Sequence, residues 1–178
     1  MCSSDLKKPP AELPAPPEPL PDPDEEAARQ VRLGREAFKA QEYGRAAQRF
    51  RQAVRTRPAD GVAHFLLAQS LIAQGKYHEA QDAIVAGLQQ RPDWPTAAFR
   101  PLELYDAPLE YTEHLRVLEE AVARHPGDPA LLFVHGYALW LDGRRDEAGR
   151  VFQRALERAK DRGPIEQFLA ALPAGEKL

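Results

Sequence analysis

A period of 34 residues runs through the chain and restricts its fold more than any other feature. Pro58, Pro92 and Pro126 stand 34 apart, as do Ala53, Gly87, Ala121 and Ala155. The same spacing joins Ala46, Ala80, His114 and Ala148, and again Gly34, Ala68, Leu102 and Gly136. Four columns in one period define stacked units, none of which can bury its apolar face alone. Such an array is a scaffold for holding other molecules. Its first unit, from Ala27 to Asp60, sets the pattern.

Within the unit the apolar spacing is helical. Val31, Leu33, Gly34, Ala37 and Phe38 recur as on one helix face, and Tyr43-Gly44 marks the break to a second helix. That helix carries Ala46, Ala47, Phe50, Ala53 and Val54 and ends before Pro58. Asp24 is the expected N-cap of the first helix, with Glu25 and Glu26 in the first turn where the dipole favours acids, and Asp60 caps the next unit. The small columns have a physical reason. Gly34, Ala68 and Gly136 fall where the two helices of a pair cross, opposite Ala46, Ala80 and Ala148, and a larger side chain there costs about 1–3 kcal/mol by overpacking. Leu33, Phe50, Leu67, Ile84, Leu139 and Phe152 are the expected filling around that contact.

These residues resemble the tetratricopeptide repeat, W-x2-L-G-x2-Y…A-x3-F…P over 34 residues. The first unit offers Gln30, Leu33-Gly34, Ala37, Ala46, Phe50 and Pro58; the second His64, Leu67-Ala68, Leu71, Ala80, Ile84 and Pro92, with Gly75 at its turn. The fourth offers Leu132, His135-Gly136, Leu139, Ala148 and Phe152, with Gly143 at its turn. The resemblance, to the bacterial type of the family, covers residues 27 to 161 and implies an all-α, right-handed α-solenoid of helix-turn-helix units.

The third unit departs from the pattern. Pro101 falls inside its first helix and Pro108 at its turn, so a short, irregular helix from about Thr96 to Tyr105 is expected, followed by a long one capped by Asp106 and carrying Leu109, Leu115, Leu118, Ala121 and Val122. His114 replaces the usual small residue and predicts a more open pair. Both simple degeneration and a built-in kink reshaping the groove fit. After Asp161-Arg162-Gly163, Pro164 opens a last helix whose Ile165, Phe168, Leu169 and Leu172 form a one-sided stripe, suited to capping the array. The expected organisation is a proline-rich acidic tail (1–24), a repeat domain (25–172; units 27–60, 61–94, 95–128, 129–161; capping helix 164–172) and a flexible C-terminus (173–178), with about nine helices in all.

Eight of the 17 prolines lie in the first 23 residues, a segment with almost nothing to bury. Residues 1–26 carry a net charge of −5 within a total of −3, which leaves the remainder close to neutral and implies no nucleic-acid partner. Cys2 is the only cysteine, so no intramolecular disulfide forms. No stretch is apolar and long enough to span a bilayer, and a cytoplasmic location fits the chain as given. Cys2-Ser3-Ser4-Asp5 before a proline-rich tether also resembles the mature start of a bacterial lipoprotein, which makes Cys2 a candidate lipidation site and a tethered envelope protein the alternative.

Catalysis finds no support. The five histidines show no i, i+4 pair, the three serines sit in no nucleophile-elbow context, and no phosphate loop, metal-site spacing or cofactor motif occurs. The expected function is non-catalytic protein–protein interaction, with a protein or peptide partner. The resemblance implies a concave groove lined by the first helix of each unit: Val31, Arg35 and Phe38, then Phe65, Gln69 and Ile72, then Phe99 and Glu103, then Phe133, Tyr137 and Trp140. That surface is aromatic and suits an apolar or amphipathic peptide, with Tyr137 as an exposed anchor. The family's clamp for chaperone C-termini needs lysines and asparagines, and the chain has no asparagine. Two alternatives stay open: the rings pack between repeats, or the aromatic patch buries itself in a homodimer. The acidic tail folding over the groove is a further expectation.

Overall fold

The computed structural model describes residues 22–172, which form eight α-helices and two short 3₁₀ turns, with no strand among them. The helices are α1 (Pro23–Lys39), α2 (Tyr43–Thr56), α3 (Gly61–Ala73), α4 (Tyr77–Gln90), α5 (Pro108–Arg124), α6 (Pro129–Leu141), α7 (Arg145–Leu156) and α8 (Gly163–Ala170). Cys2, nearly all of the expected tail and the C-terminus from 173 lie outside the described residues.

The pairs α1/α2, α3/α4 and α6/α7 pack as the small columns require. A Cβ on Gly34 would stand 2.5 Å from the Phe50 ring, and one on Gly136 would stand 2.7 Å from Phe152. Each glycine therefore lets an aromatic ring of the second helix lie directly on the backbone of the first. Phe50, Ile84 and Phe152 are fully buried there, whereas Leu33 is only half-buried. The turns share one position of the period. Gly75 and Gly143 have φ of 72° and 81°, and Gln41 holds the same left-handed conformation at 61°. The first break thus lies at residues 40–42 and not at Tyr43-Gly44, both of which belong to α2.

The caps explain where the helices begin. Asp60 accepts from the amides of Val62 and Ala63, and Asp128 does the same for Ala130 and Leu131. At α1 the cap is Asp22, accepting from the Asp24 amide, because Pro23 takes the first helical position and moves the start two residues upstream of the expected cap. Asp106 does not cap α5. Pro108 forces an extended conformation on Ala107, which becomes an N-cap without a side-chain bond.

The third unit has no first α-helix at all. Residues 94–107 form a strap instead: a 3₁₀ turn (Trp94–Thr96), an extended stretch, a second 3₁₀ turn (Pro101–Leu104) and extended chain leading into α5. The expected nine helices are thereby eight. With that helix missing, α4 packs directly on α6, and α5 lies against α3 and α6. At the far end Phe168 of α8 stacks on Phe152 and meets Tyr137 and Trp140 edge-on, so α8 covers the last pair.

Candidate interaction site

The strap crosses the face formed by the first helices of the units. Trp94 stacks on Phe65 with ring centroids 3.7 Å apart and planes 10° from parallel, and Phe99 follows at 5.0 Å from Trp94. The Trp140 indole N–H donates to the Pro95 carbonyl at 2.9 Å, deep in the interior. Tyr105 lies edge-on to Phe38 at 4.9 Å, and its hydroxyl meets His114 Nδ1 at 3.0 Å. Next to it the first turn is tied to α5. The Gln41 amide and the Tyr43 hydroxyl both donate to the Glu110 carboxylate, at 2.5 and 3.2 Å. Burial, then the adjacent Glu110 charge, pushes the Tyr43 phenol up to about 12.

This placement corrects the sequence reading of the groove. Phe38, Phe65, Gln69, Ile72, Phe133, Tyr137 and Trp140 are all buried. Tyr137, expected as an exposed anchor, is 0% exposed. Its hydroxyl is enclosed beside Trp94 and Gln69 without a hydrogen bond of regular geometry, and burial moves its pKa above the ordinary tyrosine range. Val31 and Phe99 are partly buried against the core, and only Arg35 and Glu103 are exposed. The rings pack between repeats and against the strap.

Magnitudes decide whether the strap is a removable cover. Trp94, Leu104 and Tyr105 are at most 7% exposed. Each large apolar side chain contributes about 1.5–3 kcal/mol by burial, against about 5–15 kcal/mol for the whole stability of a domain. Lifting all three would consume a large part of that total. The strap is a fixed part of the core.

What remains open is the outer side of the strap. A cleft of about 470 Å³ is lined by strap residues 97–102, Tyr111 of α5, and Leu141 to Gly143 and Arg145 at the α6–α7 turn. Phe99, Tyr111 and Leu141 are partly buried, while Leu102 is 45% exposed. With Leu109 at 78%, it is one of two exposed large apolar side chains among the described residues, and both belong to the third unit. Arg145 stacks over Trp140 at 3.9 Å, and Asp142 approaches Tyr111, whose phenol is held above the ordinary range first by burial and then by that carboxylate.

Of the residues expected to face a ligand, only Phe99 lines this cleft; Leu102, Tyr111 and Leu141 were not anticipated. One signal points to Leu102. It occupies the column of Gly34, Ala68 and Gly136, and a leucine there cannot sit at a helix crossing, so the unit must turn it elsewhere.

Helix pairs stacked in one direction with a terminal cap define an all-α repeat solenoid. Two tetratricopeptide repeat family models match the sequence, over residues 37–99 and 111–164, together about two thirds of the chain. The chain belongs to the tetratricopeptide repeat family. No curated protein matches it. Similar solved structures include MamA (41-end) from Desulfovibrio magneticus RS-1, at 21% identity over 74% of this chain and 75% of that one, TM-score 0.39. TTC0263, a thermophilic TPR protein in Thermus thermophilus, is 19% identical over 81% and 80%, TM-score 0.38. YrrB, a TPR protein with an unusual peptide-binding site, is 18% identical over 86% and 80%, TM-score 0.37. The fold is that of a scaffold for protein–protein interaction in general.

Proposed function

We propose that this chain is a non-catalytic adaptor that docks an apolar or amphipathic peptide segment of a protein partner on the outer side of the strap. The observation that carries the reading is the cleft of Phe99, Leu102, Tyr111 and Leu141, with Leu102 exposed at its rim. Partly buried aromatic and aliphatic walls, with a basic and an acidic neighbour in Arg145 and Asp142, give a partner's apolar anchor a pocket and a polar rim. The buried rings of the first helices support the floor and do not touch the ligand.

Site-specific photocrosslinking in the native source tests this. A photoreactive residue at position 102 is expected to capture a discrete protein that the same residue at the exposed position Gln153 does not. Leu102→Glu in the unlabelled chain, added as competitor, is expected not to suppress that product, whereas the wild-type competitor suppresses it. Equal capture at both positions overturns the reading. Light scattering on the same protein identifies the case in which the captured species is a second copy.

A further inference from the structure

The chain carries an occupant for the strap cleft in its own sequence. Residues 9–21 hold seven prolines, two leucines, two alanines and two glutamates, and no lysine or arginine; Lys7 and Lys8 precede them. They lie outside the described residues, immediately before the Asp22 cap of α1. A polyproline II helix has three residues per turn, and in that register Glu12 and Glu18 fall in a single column. The other two columns contain only proline, alanine and leucine, with Leu13 between Pro10 and Pro16 in one and Leu20 after Pro17 in the other. In this conformation the segment has two apolar columns and one acidic edge.

The strap cleft has the chemistry that such a segment needs. Pyrrolidine rings dock on aromatic walls, and the stiff polyproline helix has little entropy to lose on binding. Phe99, Pro101, Tyr111 and Leu141 line the cleft, with Leu102 exposed at the rim. Arg100 is exposed on the same cleft and can receive the Glu12 carboxylate, next in sequence to Leu13. The reach also fits. α1 has 17 residues and is therefore about 26 Å long, and near its C-terminal end Phe38 meets Tyr105 of the strap. At about 3.1 Å per residue, a polyproline segment folded back from Asp22 covers that length in about nine residues, which brings Leu13 level with the strap.

We propose that residues 9–21 occupy the strap cleft in the polyproline II conformation, with the Leu13 column on its aromatic wall, and so regulate the partner's access to it. The inference rests on the reading of that cleft as the partner site. A segment tethered beside its site acts at a high effective concentration. A partner's apolar segment must displace it, and a chain whose own segment is disabled binds the partner more tightly.

The test places a photoreactive residue at position 102 of the purified full chain, mixed in equal parts as isotopically light and heavy protein, and maps the crosslinks by mass spectrometry. Links to residues 9–21 are expected within single copies, and the same photoreactive residue at position Gln153 is expected to give none. Leu13→Glu/Pro16→Glu breaks one apolar column and is expected to lower the yield about tenfold, the size implied by losing a buried leucine contact. Circular dichroism checks that the variant keeps its helicity. Absence of links to 9–21, equal yields at both positions, or links only between light and heavy copies overturns the proposal. In the native source, capture of a protein at position 102 is expected to rise in the Leu13→Glu/Pro16→Glu chain, and equal capture overturns the regulatory role. Capture at position 102 without any link to 9–21 overturns the intrachain contact and leaves the partner site standing. A link to 9–21 with no capture even in the Leu13→Glu/Pro16→Glu chain overturns the partner site and, with it, the regulatory role, and leaves the intrachain contact standing.

Discussion

The second and third units have the same length and the same closing proline, Pro92 and Pro126, yet one is a regular helix pair and the other a strap with a single helix. In the second, Ala68 lies buried in the crossing column and Gly87 admits the Phe65 ring, where a Cβ would stand 2.8 Å away. In the third, Leu102 occupies the crossing column between Pro101 and the extended chain before Pro108, and no helix forms to bring it to a crossing. A repeat period thus specifies packing only where the backbone can follow it. Two prolines convert a helix that would line the groove into a segment that fills it, and the apolar residues of that segment divide between core and surface.

That contrast can be broken most strongly at Trp94. Trp94→Ala removes the ring stacked on Phe65 and is expected to cost about 3–5 kcal/mol in urea unfolding, the size of a core aromatic truncation. A result near zero would mean that the strap lies on the groove without holding it. In a regular pair, Gly136→Val drives side-chain atoms into the Phe152 ring and is expected to cost about 1–3 kcal/mol by the same measurement. The caps come next. Asp60→Ala and Asp128→Ala each remove an acceptor for two amides and are expected to cost about 1 kcal/mol, whereas Asp106→Ala, at a helix start with no side-chain cap, is expected to cost nothing measurable.

Two partly buried histidines, one in the third unit and one in the fourth, make the stability depend on pH. Burial holds His114 and His135 below the ordinary histidine value, so the folded chain keeps them neutral. As pH falls through about 6.5 the unfolded chain takes up the protons first. Stability is therefore full above that pH and is lost as pH drops through it toward the lowered folded values. A decline in the urea midpoint between pH 7 and pH 5, reduced by His114→Gln, is the expected outcome. Glu26, Glu113 and Glu147, held below the usual carboxylate value chiefly by their arginine partners, contribute their losses only at more acidic pH. Smallest of all is Leu102→Ala, expected within about 0.5 kcal/mol of wild type because the side chain is half in solvent, although it shares a column with Gly136.

The helix pairs were legible because period, small columns and caps agree: Gly34 with Phe50, Gly136 with Phe152, and Asp60 at the start of α3. The prolines marked where the pattern fails. They did not reveal the path of the chain afterwards, which depends on Trp94 reaching Phe65 and on the Trp140 N–H finding the Pro95 carbonyl 45 residues away. An aromatic residue on a first helix has the same spacing whether water or a strap covers it, so Tyr137 read as an anchor.

The bonds from Gln41 and Tyr43 to Glu110 bridge 67 to 69 residues and skip a whole unit. A linear array with contacts only between neighbours melts as a sequence of nearly independent steps, fraying from either end. Here the first turn is fastened to the third unit, and the strap joins α1, α3 and α6 to one segment. Loss of the first pair therefore exposes Tyr105, and with it the packing of the middle of the chain. Residues 22–172 are expected to unfold as one cooperative block, and to fold more slowly than a regular array of equal length, because closing these long loops precedes the contacts that reward it.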